Sequence, residues 1–127
     1  MVSFDVKYLY INVPIDDTID HILTLLSDDD IPVRKDALRH LLKMACTNIL
    51  FSFDGELYVQ NDGLSMGSCL APTMSAFAMT LIESLLQDCP HSPRFYKRYV
   101  DDIFTIFDHS SDITKFFEFI NRLHSNI

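Results

Sequence analysis

Glycine occurs only three times in these 127 residues, and neither it nor serine gathers into a linker; no repeat or low-complexity tract interrupts the chain either. No internal boundary is signalled, and one compact domain is expected. Cysteine is equally scarce. Cys46, Cys69 and Cys89 are odd in number and far apart, without the paired spacing of metal ligands, which argues against a disulfide framework and against a zinc site. The five histidines are scattered, with no pair four apart on a helix to hold a metal. No apolar run approaches the roughly 20 residues that cross a bilayer, and the N-terminus lacks the flanks of a signal peptide. A soluble intracellular protein, nuclear or cytoplasmic and without a membrane partner, is the expectation. Basic residues are also few: 10 against 18 acidic ones give a formal charge of −8. Such a chain repels a phosphate backbone unless its cations are segregated or basic surface comes from elsewhere.

Apolar residues are plentiful at 48%, enough for a core in a domain of this size. Val2, Phe4 and Val6 alternate with Ser3, Asp5 and Lys7, the period of a half-buried strand that turns Asp5 away from its apolar neighbours. After Pro14, the spacing of Ile15, Ile19, Ile22, Leu23 and Leu26 predicts a helix, with Asp16, Asp17 and Asp20 at its favourable end. It ends at Ser27-Asp28-Asp29-Asp30, read as a solvated loop. A second helix is expected from near Pro32, its apolar face made by Val33, Ala37, Leu38, Leu41, Leu42, Ala45 and Ile49. Arg34, Lys35, Arg39 and Lys43 form a basic stripe on its other side, a solvated face or a phosphate contact.

Asp54-Gly55 between Phe51–Phe53 and Leu57–Gln60 predicts a tight hairpin. A loop from Asn61 to Ser68 then feeds a helix starting at Ala71 or Pro72, with Met74, Phe77, Ala78, Leu81, Ile82 and Leu85 on one face and Ser75 and Ala76 permitting close approach. From Phe95 to Phe107 the chain is aromatic and β-branched except at Asp101-Asp102, which predicts two strands joined at a pair of carboxylates. A last helix over 111–124 turns Ile113, Phe116, Phe117, Ile120 and Leu123 inward. This order points to an α+β fold, an antiparallel sheet with helices packed on one face.

Two carboxylates at a hydrophobic hairpin tip repel one another, and a divalent cation would remove that cost. An exposed polar turn is the plainer alternative. Asp5, on a separate strand, could bring a third carboxylate, and hard oxygen donors of this kind suit Mg²⁺ in polymerase-type sites.

Phe4-Asp5-Val6-Lys7-Tyr8-Leu9-Tyr10-Ile11-Asn12-Val13-Pro14 resembles the first catalytic motif of reverse transcriptases, closest to Penelope-like retroelements. Gly63-Leu64-Ser65-Met66-Gly67-Ser68-Cys69-Leu70-Ala71-Pro72 resembles the second palm motif of that group, and Tyr99-Val100-Asp101-Asp102 the third. With the helices between them, motifs A to C take up nearly all of residues 1–127. The resemblance implies a polymerase palm and RNA-directed DNA synthesis, in which a primer 3′-hydroxyl attacks a deoxynucleoside triphosphate. It makes Asp5, Asp101 and Asp102 the catalytic carboxylates and holders of two Mg²⁺ ions, Mn²⁺ being an acceptable substitute, with a backbone carbonyl from Val6. Tyr8, Leu9 and Tyr10 would lie against the triphosphate, and Gly67 and Ser68 against the nucleotide and the templating base. Tyr10 matches the aromatic gate that excludes a ribose 2′-hydroxyl, although a core tyrosine is the ordinary reading of such a residue. For Gly67 and Ser68 the ordinary reading is a turn leading into a helix.

An RNA template, a DNA primer and deoxynucleoside triphosphates are the implied partners. Cys69 departs from the family, which usually has proline there, and loss of the ring loosens the turn. Basic fingers and the thumb are not represented among these residues, and neither is the GIY-YIG endonuclease of many members. The chain by itself is therefore expected to be inactive as a polymerase. A non-catalytic retroelement remnant and a telomerase-type reverse transcriptase fragment are the alternatives.

Overall fold

The computed structural model describes residues 1–27, 29 and 31–123. The acidic loop expected at Asp28 and Asp30, and the last helical residue expected at His124, lie outside them. The fold is mixed α+β. Its elements run β1 (Val2–Asp5), α1 (Leu9–Asn12), α2 (Ile15–Leu25), α3 (Lys35–Cys46), β2 (Ile49–Phe53), β3 (Glu56–Gln60), α4 (Ala71–Leu85), β4 (Phe95–Tyr99), β5 (Asp102–Ile106) and α5 (Ser110–Leu123). The chain divides into two compact units, 1–9 with 79–127, and 10–78. One division falls at the start of α1 and the other inside α4, so neither leaves a linker in the sequence.

The first unit is built on a three-stranded antiparallel sheet of order β1-β5-β4. Period-two alternation sorts its side chains. Phe4 faces the same side as Ile103 and Thr105, while Ser3 and Asp5 are exposed on the other. The inner side is covered by α5, where Phe116, 1% exposed, packs its ring 5.9 Å from Phe4 and 5.3 Å from Phe107. Phe117, expected inward, is half exposed yet stacks on Phe4 at 5.8 Å. Thr105, fully buried in this apolar layer, donates its hydroxyl to the Val2 carbonyl at 3.0 Å, which removes the cost of burying it.

In the second unit α2 buries Thr18, Ile19, Ile22 and Leu23, the expected face with Thr18 added. α3 starts at Lys35 rather than near Pro32, because Pro32 to Arg34 remain extended and irregular, and it ends before Ile49, which opens β2. Its inward stripe is narrow. Leu38 and Leu42 are half-buried and Cys46 is buried, whereas Ala37, Leu41 and Ala45 are exposed. The basic stripe is occupied within the chain: Lys43 binds Asp16 at 2.7 Å and Arg39 pairs with Asp20, while Arg34 pairs with Asp36 at 3.0 Å. Positions four apart on one helix thus meet positions four apart on its antiparallel neighbour. These exposed pairs set register more than they add stability.

The β2–β3 hairpin turns at Asp54 (φ 51°) and Gly55 (φ 80°), two positive angles as a type I′ turn requires. Gly63 (φ 70°) is held much more tightly. A Cβ there would fall 2.3–2.5 Å from the backbone of Ile11, and the neighbouring Leu64 N–H donates to the Tyr10 carbonyl at 2.7 Å. The short helix α1, which hydrophobic period did not announce, is thereby pinned to the loop before α4. No helix among the described residues is long and apolar enough to cross a membrane.

Candidate carboxylate site

β1 and β5 pair so that Asp5 lies directly opposite Asp102, and β4 continues the row with Tyr99 opposite Asp102. The Val6 N–H donates to the Asp101 carbonyl at 3.1 Å, in the same register. That makes 6 and 101 a hydrogen-bonded pair and leaves Asp5 and Asp102 in the alternate, non-bonded position, where side chains of opposite strands approach more closely. Both carboxylates are exposed on the outer side of the sheet. Like charges directly opposite one another destabilise a strand pair. The arrangement therefore costs the fold something and provides no packing in return.

Asp101 is half-buried at the second corner of the β4–β5 turn, whose first corner, Val100, has φ 56°. A positive angle at the first corner alone is the pattern of a type II′ turn, a position that glycine normally takes. For a β-branched residue it is a genuine outlier, costing on the order of 1–3 kcal/mol. Tyr8, between β1 and α1, is a second non-glycine residue at positive φ, 57°, with its ring 73% exposed. Two strained backbone positions thus lie within three residues of Asp5 and one residue of Asp101.

The other expected site residues take different positions. Val6 turns inward, lining a small apolar cavity with Met79, Ile82 and Ile103. Leu9 is 2% exposed, a core residue withdrawn from solvent. Tyr10, Gly67 and Ser68 belong to the second unit. Tyr10 is half-buried, and its carbonyl is committed to Leu64. The Ser68 hydroxyl accepts from the Leu70 N–H at 3.3 Å and the Ser68 carbonyl from the Ala71 N–H at 3.1 Å, so this serine leads the chain into α4. Gly67 has no atom closer than 4.0 Å to the place a Cβ would occupy, and nothing in the fold itself requires a glycine there.

Glu83, Tyr96 and Arg98, which hydropathy alone does not single out, form a network that reaches the carboxylate turn through Arg98. Glu83 on α4 accepts from Arg98 Nε at 2.7 Å, from Arg98 Nη2 at 3.2 Å and from the Tyr96 hydroxyl at 3.1 Å. Burial, then the charge of Glu83, holds the Tyr96 phenol above its ordinary value, which keeps it a donor; hydrogen bonding to Glu83 raises the Arg98 guanidinium. The remaining Arg98 nitrogen, Nη1, donates to the carbonyl of the strained Val100 at 3.1 Å. An arginine at an inward position of a strand is the signal for such a network.

Carboxylate, carbonyl and water oxygens are the donors that Mg²⁺ and Mn²⁺ accept, so in chemistry the Asp5, Asp101 and Asp102 set suits such an ion. In spacing the set is open: among the described residues no three His, Cys, Asp or Glu side chains are close enough together to chelate one. A scan against protein-family models finds no match to this chain, and a search of curated proteins finds none either.

Proposed function

We propose that the chain is the palm core of an RNA-directed DNA polymerase, with Asp5, Asp101 and Asp102 as its cation-binding carboxylates. One observation carries most of the weight: Asp5 and Asp102 face each other across β1 and β5, with Asp101 on the adjoining strained turn. Repulsion and backbone strain at one place are costs that a functional site tolerates and a purely structural hairpin has no reason to keep. Bound Mg²⁺ would activate the primer 3′-hydroxyl and stabilise the leaving pyrophosphate. The protein's own part is to hold the carboxylates on a rigid sheet and to offer the Val6 carbonyl beside them. Tyr99, 80% exposed in the same row, gives the primer end an aromatic surface. Tyr10 would exclude a 2′-hydroxyl, and Gly67, which the fold does not need as glycine, would let the nucleotide approach the backbone.

The net charge of −8 means that most of the attraction for template and primer comes from basic surface supplied elsewhere. The open spacing of the carboxylates favours a second reading, a non-catalytic remnant that keeps the fold but not the cations. Titration with Mn²⁺ separates the two: saturable binding that competes with Mg²⁺ supports the polymerase core, and its absence supports the remnant.

A further inference from the structure

Arg98 is 14% exposed in its side chain and Glu83 27%, so this ion pair is largely withdrawn from solvent, where a lone arginine would be costly. Burying it is justified by more than the pairing. The guanidinium is a planar fork whose nitrogens point in fixed directions. Nε and Nη2 are taken by Glu83, which leaves Nη1 directed at the Val100 carbonyl. That carbonyl belongs to the peptide linking Val100 to Asp101, within the turn that the positive φ of Val100 strains.

We propose that Arg98, anchored by Glu83, is a positioning residue that locks the Val100–Asp101 peptide and thereby fixes the backbone from which the Asp101 side chain projects, next to the Asp5–Asp102 pair. The role assigned to the carboxylates rests on the cation site proposed above; the lock itself rests only on these hydrogen bonds. The helix α4 is thus connected to the carboxylate turn through the paired side chains of Glu83 and Arg98. Lysine at 98 would keep the charge and one bond to Glu83 but lacks the fork that reaches two acceptors at once. Tyr96 supplies the internal control, because Tyr96→Phe removes a bond to the same Glu83 without touching the turn.

The test compares Arg98→Lys with Tyr96→Phe in the full 127-residue chain. Amide hydrogen exchange is followed at Val6, whose N–H binds the Asp101 carbonyl, and at Ile103 in the neighbouring register position. Mn²⁺ affinity is measured alongside. Arg98→Lys is expected to speed exchange at Val6 about tenfold while leaving Ile103 as it is in Tyr96→Phe, and to weaken Mn²⁺ about tenfold, the low end for residues that orient ligands. Should Arg98→Lys fail to fold, Glu83→Gln loosens the anchor and gives the same comparison. Equal effects of the two substitutions at Val6, or uniform acceleration of all amides, would overturn the lock. If Asp101→Asn weakens Mn²⁺ and Arg98→Lys does not, positioning alone fails; if Asp101→Asn leaves Mn²⁺ affinity unchanged, the cation site fails and the role assigned to Arg98 falls with it.

Discussion

Replacing Gly63 with alanine tests the close backbone approach between Gly63 and Ile11. The added Cβ would stand 2.3 Å from the Ile11 carbonyl oxygen and 2.5 Å from its Cα, atoms of a helix that cannot turn aside as a flexible side chain can. The φ of 70° adds a left-handed penalty of about 1–2 kcal/mol for any residue with a Cβ. Relieving the overlap by shifting backbone costs a further ~1–3 kcal/mol, as overpacking does elsewhere. Together these reach about 2–5 kcal/mol, a large share of the roughly 5–15 kcal/mol by which a domain is stable. Gly55→Ala provides the reference, because its φ of 80° is similar but a Cβ there meets nothing within 4 Å. Urea denaturation of the two variants should show Gly63→Ala losing more than Gly55→Ala by about 1–3 kcal/mol, the overlap cost alone. Equal losses would refute the claim that Gly63 is required by contact with α1 and leave only its backbone angle.

Asp5→Asn should raise stability by up to about 1 kcal/mol in metal-free, low-salt buffer, since it removes a charge facing Asp102; a lower melting temperature would contradict the repulsion. Thr105→Val should cost about 0.5–1.5 kcal/mol in chemical denaturation, as the half-buried Val2 carbonyl loses a donor, and Thr105→Ser should recover most of it. Burial holds the Cys46 thiol above its ordinary value of 9.0, so its folded pKa exceeds its unfolded one. Any stability linked to it is present below pH 9.0 and falls as pH rises through the folded value. Alkylation mapped by mass spectrometry at pH 8 should therefore label exposed Cys69 well before Cys46.

The sheet was legible because alternation is a local signal: Val2, Phe4 and Val6 against Ser3, Asp5 and Lys7 announce both a strand and the side on which Asp5 stands. Asp54-Gly55 was equally legible, since few other dipeptides accept two positive angles. α3 was harder. Its many apolar residues suggest a broad buried face, but only the Leu38, Leu42 and Cys46 stripe is withdrawn from solvent, and the basic residues close on the acids of α2. Val100 at positive φ carried no signal, because a β-branched residue ordinarily argues against that angle. The Glu83–Arg98–Val100 connection was hidden for a related reason: it links a helix to a turn fifteen or more positions away, beyond any window in which period can be read.

The most direct measurement is Mn²⁺ binding to the chain and to its Asp5→Ala and Asp101→Ala variants, followed by electron paramagnetic resonance with Mg²⁺ as competitor. If these carboxylates form a cation site, the unaltered chain binds saturably and each variant weakens binding by about tenfold or more, as loss of an oxygen ligand should. Unchanged affinity in both variants would contradict it.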